Sequence, residues 1–169
     1  MNIATTERLH IRWFTLADAS FILELVNEPA WKRYIRDMGI QSLADAEAYL
    51  QNGPLAMYQR LGFGLYTVVQ KETNQPVGVC GLIKRDSLND VDVGFALLAR
   101  FRRQGYTEEA TTAVLDFAHQ SLNLSRIVAI TTPDNHASSS LLEKLGFQFE
   151  DTIQFEPNGE KLNLYAKNS

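Results

Sequence analysis

Apolar positions along the chain switch between a period of two and a period near 3.6, and most switches fall at a turn signal. Leu9 to Phe14 alternates Leu, Ile and Trp against His, Arg and Phe, which predicts a first strand. Thr15-Leu16-Ala17-Asp18 has the spacing of a capping box. Leu16, Ala19, Ile22, Leu23 and Val26 then repeat at helical spacing. Glu28-Pro29 closes this helix, because the residue before proline avoids helical geometry. Trp31 to Gly39 is aromatic and basic, lacks a clear period, and reads as a loop or a short helix. Ser42-Leu43-Ala44-Asp45 opens a second helix, and Gly53-Pro54 kinks it or divides it in two. Leu65 to Gln70 and Val77 to Lys84 read as a hairpin around the polar Lys71 to Gln75. After a turn at Asp86 to Asp90, Val91 to Leu98 is the third strand of the meander. Tyr106, Ala110, Ala113, Val114, Phe117 and Ala118 are helical in spacing. Arg126 to Thr131 is a strand, and Asn135 to Leu145 is a helix with Gly146 placed to cap its end. Phe147 to Phe155 and Lys161 to Lys167 form a last hairpin, turning at Pro157-Asn158-Gly159.

The order is therefore β-α-α-β-β-β-α-β-α-β-β, which predicts an α/β fold with one mixed central sheet flanked by helices. Residues 1–169 contain no repeat, low-complexity segment or linker and read as a single domain. A hydrophobic fraction of 45% is enough for one full core. Lys and Arg number 16 against 20 Asp and Glu, a net charge of -4, which argues against a nucleic-acid-binding surface. Cys80 is the single cysteine, so neither an internal disulfide nor a cysteine-rich metal site is expected. A cytoplasmic setting follows from that. Met1 to Arg8 has no signal-like apolar core, and no apolar run reaches membrane-spanning length, so no membrane partner is expected.

The strongest chemical signal is Phe101-Arg102-Arg103-Gln104-Gly105-Tyr106-Thr107, a basic turn with a glycine between a strand and a helix. A helix start leaves N–H groups without partners and carries the positive end of the dipole. Glycine lets the backbone close on an anion, and the arginines add charge-assisted donors. A pyrophosphate fits this arrangement; a plain turn with solvated arginines is the competing reading.

Arg102-x-x-Gly105-x-Thr107 resembles the acyl-CoA pyrophosphate loop of the GNAT superfamily of N-acetyltransferases. Asn135-His136-Ala137-Ser138-Ser139-Ser140-Leu141-Leu142-Glu143-Lys144-Leu145-Gly146-Phe147 resembles that superfamily's later motif. The two in this order, over most of the chain, resemble best the branch that acetylates N-termini of ribosomal proteins (RimJ/RimL-like). The resemblance implies a fold whose central strands splay apart to hold the thioester arm. It implies acetyl-CoA as co-substrate, no metal, and an amine acceptor: the N-terminal α-amine of a protein or a small-molecule amine. Arg102, Arg103, Gln104, Gly105, Tyr106 and Thr107 would hold the pyrophosphate. Leu97, Leu98 and Ala99 would offer backbone groups to the pantetheine amides, one N–H serving the developing oxyanion. Gly94 would mark a bulge that opens that strand edge. Asn135 would bond the pantetheine arm as well as cap its helix. Asp92 aligns with the acidic proton acceptor, usually Glu, and Ser138 with a hydroxyl that protonates or orients the leaving sulfur. Trp31 and Tyr34, with Lys32 and Arg36, lie in the loop that borders the acceptor site.

Three departures stand out: Thr107 where Gly or Ala is usual, Asp92 for Glu, and Leu142 where many relatives place a tyrosine acid. They keep open a second class of function, a non-catalytic acyl-CoA-binding sensor. A nucleotide-binding reading finds no Gly-x-x-x-x-Gly-Lys-Ser/Thr loop to support it. His10, His119 and His136 are weaker proton-acceptor candidates, and Cys80 reads as core. The acceptor's identity and the oligomeric state are not legible in the residues.

Overall fold

The computed structural model of the chain describes residues 1–168. Its centre is an 8-stranded mixed sheet with spatial order β1-β2-β3-β4-β5-β6-β8-β7. The strands are β1 (Asn2–Thr5), β2 (Leu9–Arg12), β3 (Leu65–Gln70), β4 (Gln75–Ile83), β5 (Asp92–Leu97), β6 (Arg126–Thr131), β7 (Gln148–Ile153) and β8 (Leu162–Asn168). Only β5 and β6 pair in parallel; the other neighbours are antiparallel. Strand β1 was not expected. Its Asn2-Ile3-Ala4-Thr5 is too short to show a period, and it forms as an edge strand on β2.

The helices are α1 (Ala19–Val26), α2 (Pro29–Tyr34), α3 (Leu43–Leu50), α4 (Ala56–Leu61), α5 (Tyr106–Leu122) and α6 (His136–Lys144). A 3₁₀ turn, Leu16–Asp18, leads into α1. The Asp18 carboxylate accepts from the Thr15 N–H at 2.9 Å and from both Arg12 Nη atoms at 2.9 Å. Proline 29 does more than end α1. It starts α2, where its missing N–H costs nothing and its fixed φ suits a helix. Pro54 divides the next helical stretch, as the sequence suggested. A π-helical turn, Gln51–Leu55, absorbs it between α3 and α4.

Two apolar clusters cover the two faces of the sheet. One joins Val93, Leu97, Val77 and Leu82 to Ala110, Val114 and Ala118 of α5 and Leu142 of α6. The other joins Val79 and Leu98, with Ala96 beside them, to Phe21, Ile22 and Leu25 of α1, Trp31 of α2, and Ala46 and Leu50 of α3. Side chains alternate along a strand. Asp92 and Gly94 therefore share the face of Ala96, towards α1 and α2, while Val93, Phe95 and Leu97 face α5. The β4–β5 ladder keeps its register through Gly81↔Gly94, so Gly94 does not make the expected bulge. The irregularity lies one strand away, between Val68 and Val69, where Pro76 of β4 cannot donate.

Candidate active site

Strands β5 and β6 register at a single residue pair, Asp92↔Val128. The Val128 N–H donates to the Val91 carbonyl at 3.0 Å, and beyond that point the two strands diverge. On its other edge β5 stays paired with β4 as far as the Leu98 N–H, which donates to the Val77 carbonyl at 2.9 Å. Antiparallel pairs alternate between hydrogen-bonded and non-hydrogen-bonded. Leu98, Ala96, Gly94 and Asp92 thus spend their backbone groups on β4. Phe95 and Leu97 turn theirs towards the gap between β5 and β6. This corrects the expectation at Leu98, whose amide is committed to the sheet and whose side chain is fully buried. It adds Phe95, which parity on the strand could have selected. The Ala99 N–H, at the open end of the gap, donates to the Glu28 carboxylate, 2.9 and 3.2 Å from its two oxygens.

The basic turn lies at that open end. A 3₁₀ turn, Ala99–Phe101, carries the chain from β5, and α5 starts with Gly105 as its N-cap. Gly105 has φ +82° and Arg103 φ +63°. The first is ordinary for glycine; the second is a sparsely populated state for arginine, of a kind that clusters at binding turns. The first amide of α5 with a partner in the helix is that of Glu109, which donates to the Gly105 carbonyl at 3.1 Å. The Tyr106, Thr107 and Glu108 amides precede it at the positive end of the dipole. Acidic residues in this first turn are neutralised. Glu109 is clamped by Arg8 at 2.7 Å and Glu108 by Lys144 at 3.0 Å. Arg8 also donates to the Gln104 carbonyl at 2.8 Å and stacks 4.3 Å from the Tyr106 ring centre. The Tyr106 ring is buried, with its hydroxyl accepting from Gln70 Nε2 at 2.8 Å. Tyr106 can therefore serve an anion only through its backbone. Arg102 is exposed but already engaged: Nη2 lies 3.2 Å from the Leu97 carbonyl and 3.4 Å from Glu28 Oε1. Arg103, Gln104 and Thr107 have no side-chain bond among the described residues.

Asp92 sits at the apex of the gap, 2% exposed. Its Oδ2 accepts from Arg85 Nε at 2.9 Å, while Oδ1 is buried without a partner among the described residues. Burial pushes the carboxyl above its ordinary range, opposed by the Arg85 charge and hydrogen bond and by Lys84. At 2% exposure an amine cannot reach it unaided, and a water bridge or a small movement of the surroundings is needed.

Across the gap, Asn135 caps α6, with Oδ1 accepting from the Ser138 N–H at 3.3 Å. The amide nitrogen Nδ2 is not used by that cap, so capping and ligand binding do not compete. Ser138 is half-buried on the same helix face as Leu142, which is fully buried in the α5 cluster. On α2, Trp31 is a core residue at 6% exposure, its Nε1 buried without a partner among the described residues. Tyr34 lies under the Arg33 guanidinium, 5.1 Å from ring centre to Cζ. Arg33 reaches over to Asp134, beside Asn135, at 3.0 Å and so links α2 to the opposite arm of the gap. Arg8, Glu28 and Arg33 were not legible in the sequence, because each acts through a partner far away along the chain, and Arg85 was not, because its bond to Asp92 depends on the fold of the turn between β4 and β5. Cys80 is fully buried and its thiol is pushed up to about 12 by burial, as a core residue's would be. No cluster of His, Cys, Asp and Glu that could hold a metal ion occurs among the described residues.

The acetyltransferase (GNAT) domain family matches residues 8–148. The chain belongs to the GNAT acetyltransferase family and is an N-acetyltransferase. It is 28% identical over 156 residues to a Bacillus licheniformis protein described as an uncharacterized N-acetyltransferase p20, covering 91% of this chain and 86% of that one. It is 30% identical over 90 residues to the [ribosomal protein uS5]-alanine N-acetyltransferase of Escherichia coli, covering 52% of this chain and 45% of that protein. Among solved folds, RimL, a ribosomal L7/L12 α-N-protein acetyltransferase in complex with coenzyme A, superposes with a TM-score of 0.84. That match covers 99% of this chain and 98% of RimL at 19% identity. An acetyltransferase from Agrobacterium tumefaciens superposes at 0.81, covering 98% and 94%, with 23% identity. Family members use acetyl-CoA. No helix is long and apolar enough to cross a membrane among the described residues.

Proposed function

We propose that the chain transfers the acetyl group of acetyl-CoA directly to a primary amine in a ternary complex, with the N-terminal α-amine of a protein as the acceptor. The observation that carries this reading is the gap between β5 and β6, with the Arg102–Thr107 turn at its open end and Asp92 at its apex. From Asp92 to Leu97, β5 covers about 17 Å at a usual strand rise. That is a suitable track for an extended pantetheine arm, with Phe95 and Leu97 as backbone partners and Asn135 Nδ2 opposite. The backbone N–H groups of Tyr106, Thr107 and Glu108, with Arg102 and Arg103, receive the pyrophosphate.

In the chemical step the neutral amine nitrogen attacks the thioester carbon and a C–N bond forms. The carbonyl oxygen takes up negative charge beside an N–H of β5. The C–S bond then breaks, its electron pair staying on sulfur. The amine's proton passes to Asp92 through a water, and the departing thiolate accepts a hydrogen bond from the Ser138 hydroxyl and takes its proton from solvent. Support for a protein N-terminus comes from the names of the Escherichia coli relative and of RimL. A panel of peptides with free N-termini beside small amines, scored by thiol release from acetyl-CoA, tests the proposal. Turnover with a peptide and none with its N-blocked form is the expected result. Turnover confined to small amines would overturn the acceptor, and binding of acetyl-CoA without release of CoA on any amine would leave a sensor.

A further inference from the structure

Arg85 projects from the turn between β4 and β5 and is not among the residues that the family pattern or the sequence period selects. Its side chain is 39% exposed, yet its Nε lies 2.9 Å from Oδ2 of Asp92, whose side chain is 3% exposed. The other face of the guanidinium is near an aromatic ring, with Cζ 6.0 Å from the centre of Phe155 in the loop between β7 and β8. The turn that carries Arg85 is itself fastened. Lys84 Nζ donates to the Arg85 carbonyl at 2.8 Å and also to the Leu88 carbonyl. Arg85 thus approaches Asp92 from a fixed turn and with one nitrogen only. The second carboxylate oxygen is left buried and without a partner among the described residues.

We infer that Arg85 is a positioning residue for acetyl transfer: it binds one oxygen of Asp92, favours the charged form of the carboxylate, and leaves Oδ1 as the oxygen that takes the acceptor's proton. This rests on the proposed role of Asp92. A buried carboxylate with neither partner nor water is driven to its neutral form and is then no base. A carboxylate bound on both oxygens by a fork of guanidinium nitrogens would stay charged, but with both oxygens engaged it would be a weaker proton acceptor. A single contact through Nε avoids both outcomes.

The other groups around Asp92 leave that task to Arg85. In the strand pairing, β4 offers Ile83 and β6 offers Val128, both apolar. Lys84 adds a favourable charge but spends its hydrogen bonds on the turn. Asp90, two residues before, is paired with Arg126 of β6 at 3.1 Å, and the same Arg126 holds Glu150 of β7 at 2.7 Å.

The test needs no acceptor. Carbon-13 NMR follows each carboxyl through a pH titration of the full chain, and Asp92→Asn identifies the Asp92 signal by its disappearance. In Arg85→Gln the Asp92 carboxyl should titrate at a pH higher by about one to three units, the size of effect an adjacent cation has. Arg85→Lys should restore part of the difference. An unchanged midpoint in Arg85→Gln overturns the inference. If Arg85→Gln does not fold, Arg85→Lys alone decides, because its longer and weaker contact must still raise the midpoint. In parallel, the pH profile of kcat/KM is measured with an N-terminal alanine peptide and acetyl-CoA. The acidic limb in Arg85→Gln should move up by the same interval, with the KM for acetyl-CoA unchanged. Full activity in Asp92→Asn would instead sink the base assignment itself, a result that the titration midpoint of Arg85→Gln does not depend on.

Discussion

At the residue scale, Asp92 combines the features of a functional carboxylate with those of a costly one. An Asp whose folded-state carboxyl titrates above its ordinary range binds its proton more tightly folded than unfolded. Its contribution to stability is fully present below the ordinary carboxylate range and is lost as pH rises through the raised value. At neutral pH the group therefore works against folding. Asp92→Asn should keep or raise the melting temperature at pH 7, relative to its effect near pH 3, where wild type is already protonated. The same variant should lower turnover by roughly 10²–10⁴ and leave acetyl-CoA affinity intact. Calorimetric melting at both pH values, beside a thiol-release assay, checks both statements. Ser138 calls for a different contrast. Leu142 is sealed in the core, so no tyrosine acid stands on that turn of α6. If the hydroxyl handles the leaving sulfur, Ser138→Ala lowers kcat roughly ten- to a hundred-fold, the worth of one or two hydrogen bonds. Wild-type turnover in Ser138→Ala with loss only in Ser138→Val means that the site requires a small residue and not a hydroxyl.

At the element scale, the two ends proposed to bind the co-substrate differ in how much the sequence revealed. The turn from Arg102 to Thr107 was legible because a glycine, two arginines and a following helical period are all local signals. Asn135 was legible for the same reason, since a helix cap is a local device. The backbone of β5 was not. Which amides face the gap depends on the register with β4, and a one-residue difference in that register exchanges Leu98 for Phe95. Glu28 was read only as a helix stop, although its carboxylate bonds the Ala99 amide and touches Arg102. This contact gives the turn a measurable asymmetry. Arg102→Ala should weaken acetyl-CoA binding by about ten-fold, the loss of one charge-assisted contact. Glu28→Gln keeps an acceptor for the Ala99 amide but releases Arg102, and should tighten binding by up to about five-fold, the range of a half-exposed ion pair. Isothermal calorimetry on the two single variants and on the pair checks the signs, and tighter binding by Glu28→Gln should vanish when Arg102 is alanine.

At the scale of the whole molecule, the fold class followed from the alternation of periods, and the order of elements held apart from the added β1 and α2. The pairing order of the sheet could not follow, because β8 lies between β6 and β7 and nothing local to either hairpin strand states which one meets β6. The same limit applied to Gly81 and Gly94. They are cross-strand partners on β4 and β5, and as glycines inside a strand the two look alike in sequence. The structure tells them apart. A Cβ on Gly81 would lie 2.4 Å from the Gly64 carbonyl oxygen and 2.6 Å from Leu65 Cα, both of them backbone. A Cβ on Gly94 would meet nothing nearer than Leu65 Cδ2 at 3.8 Å. Gly81→Ala should therefore destabilise the chain by about 1–3 kcal/mol, the usual cost of forcing atoms into a packed interior. Gly94→Ala should leave the melting temperature near that of wild type. It lies two residues along the strand from Asp92 and on the same face, the face by which the proposed acceptor would approach that carboxylate. Gly94→Ala and then Gly94→Val should raise the KM of an N-terminal peptide progressively while the KM for acetyl-CoA stays constant. Equal peptide KM values in wild type and Gly94→Val, with both proteins folded, would place the acceptor's path elsewhere, away from the face of β5 that carries Asp92 and Gly94.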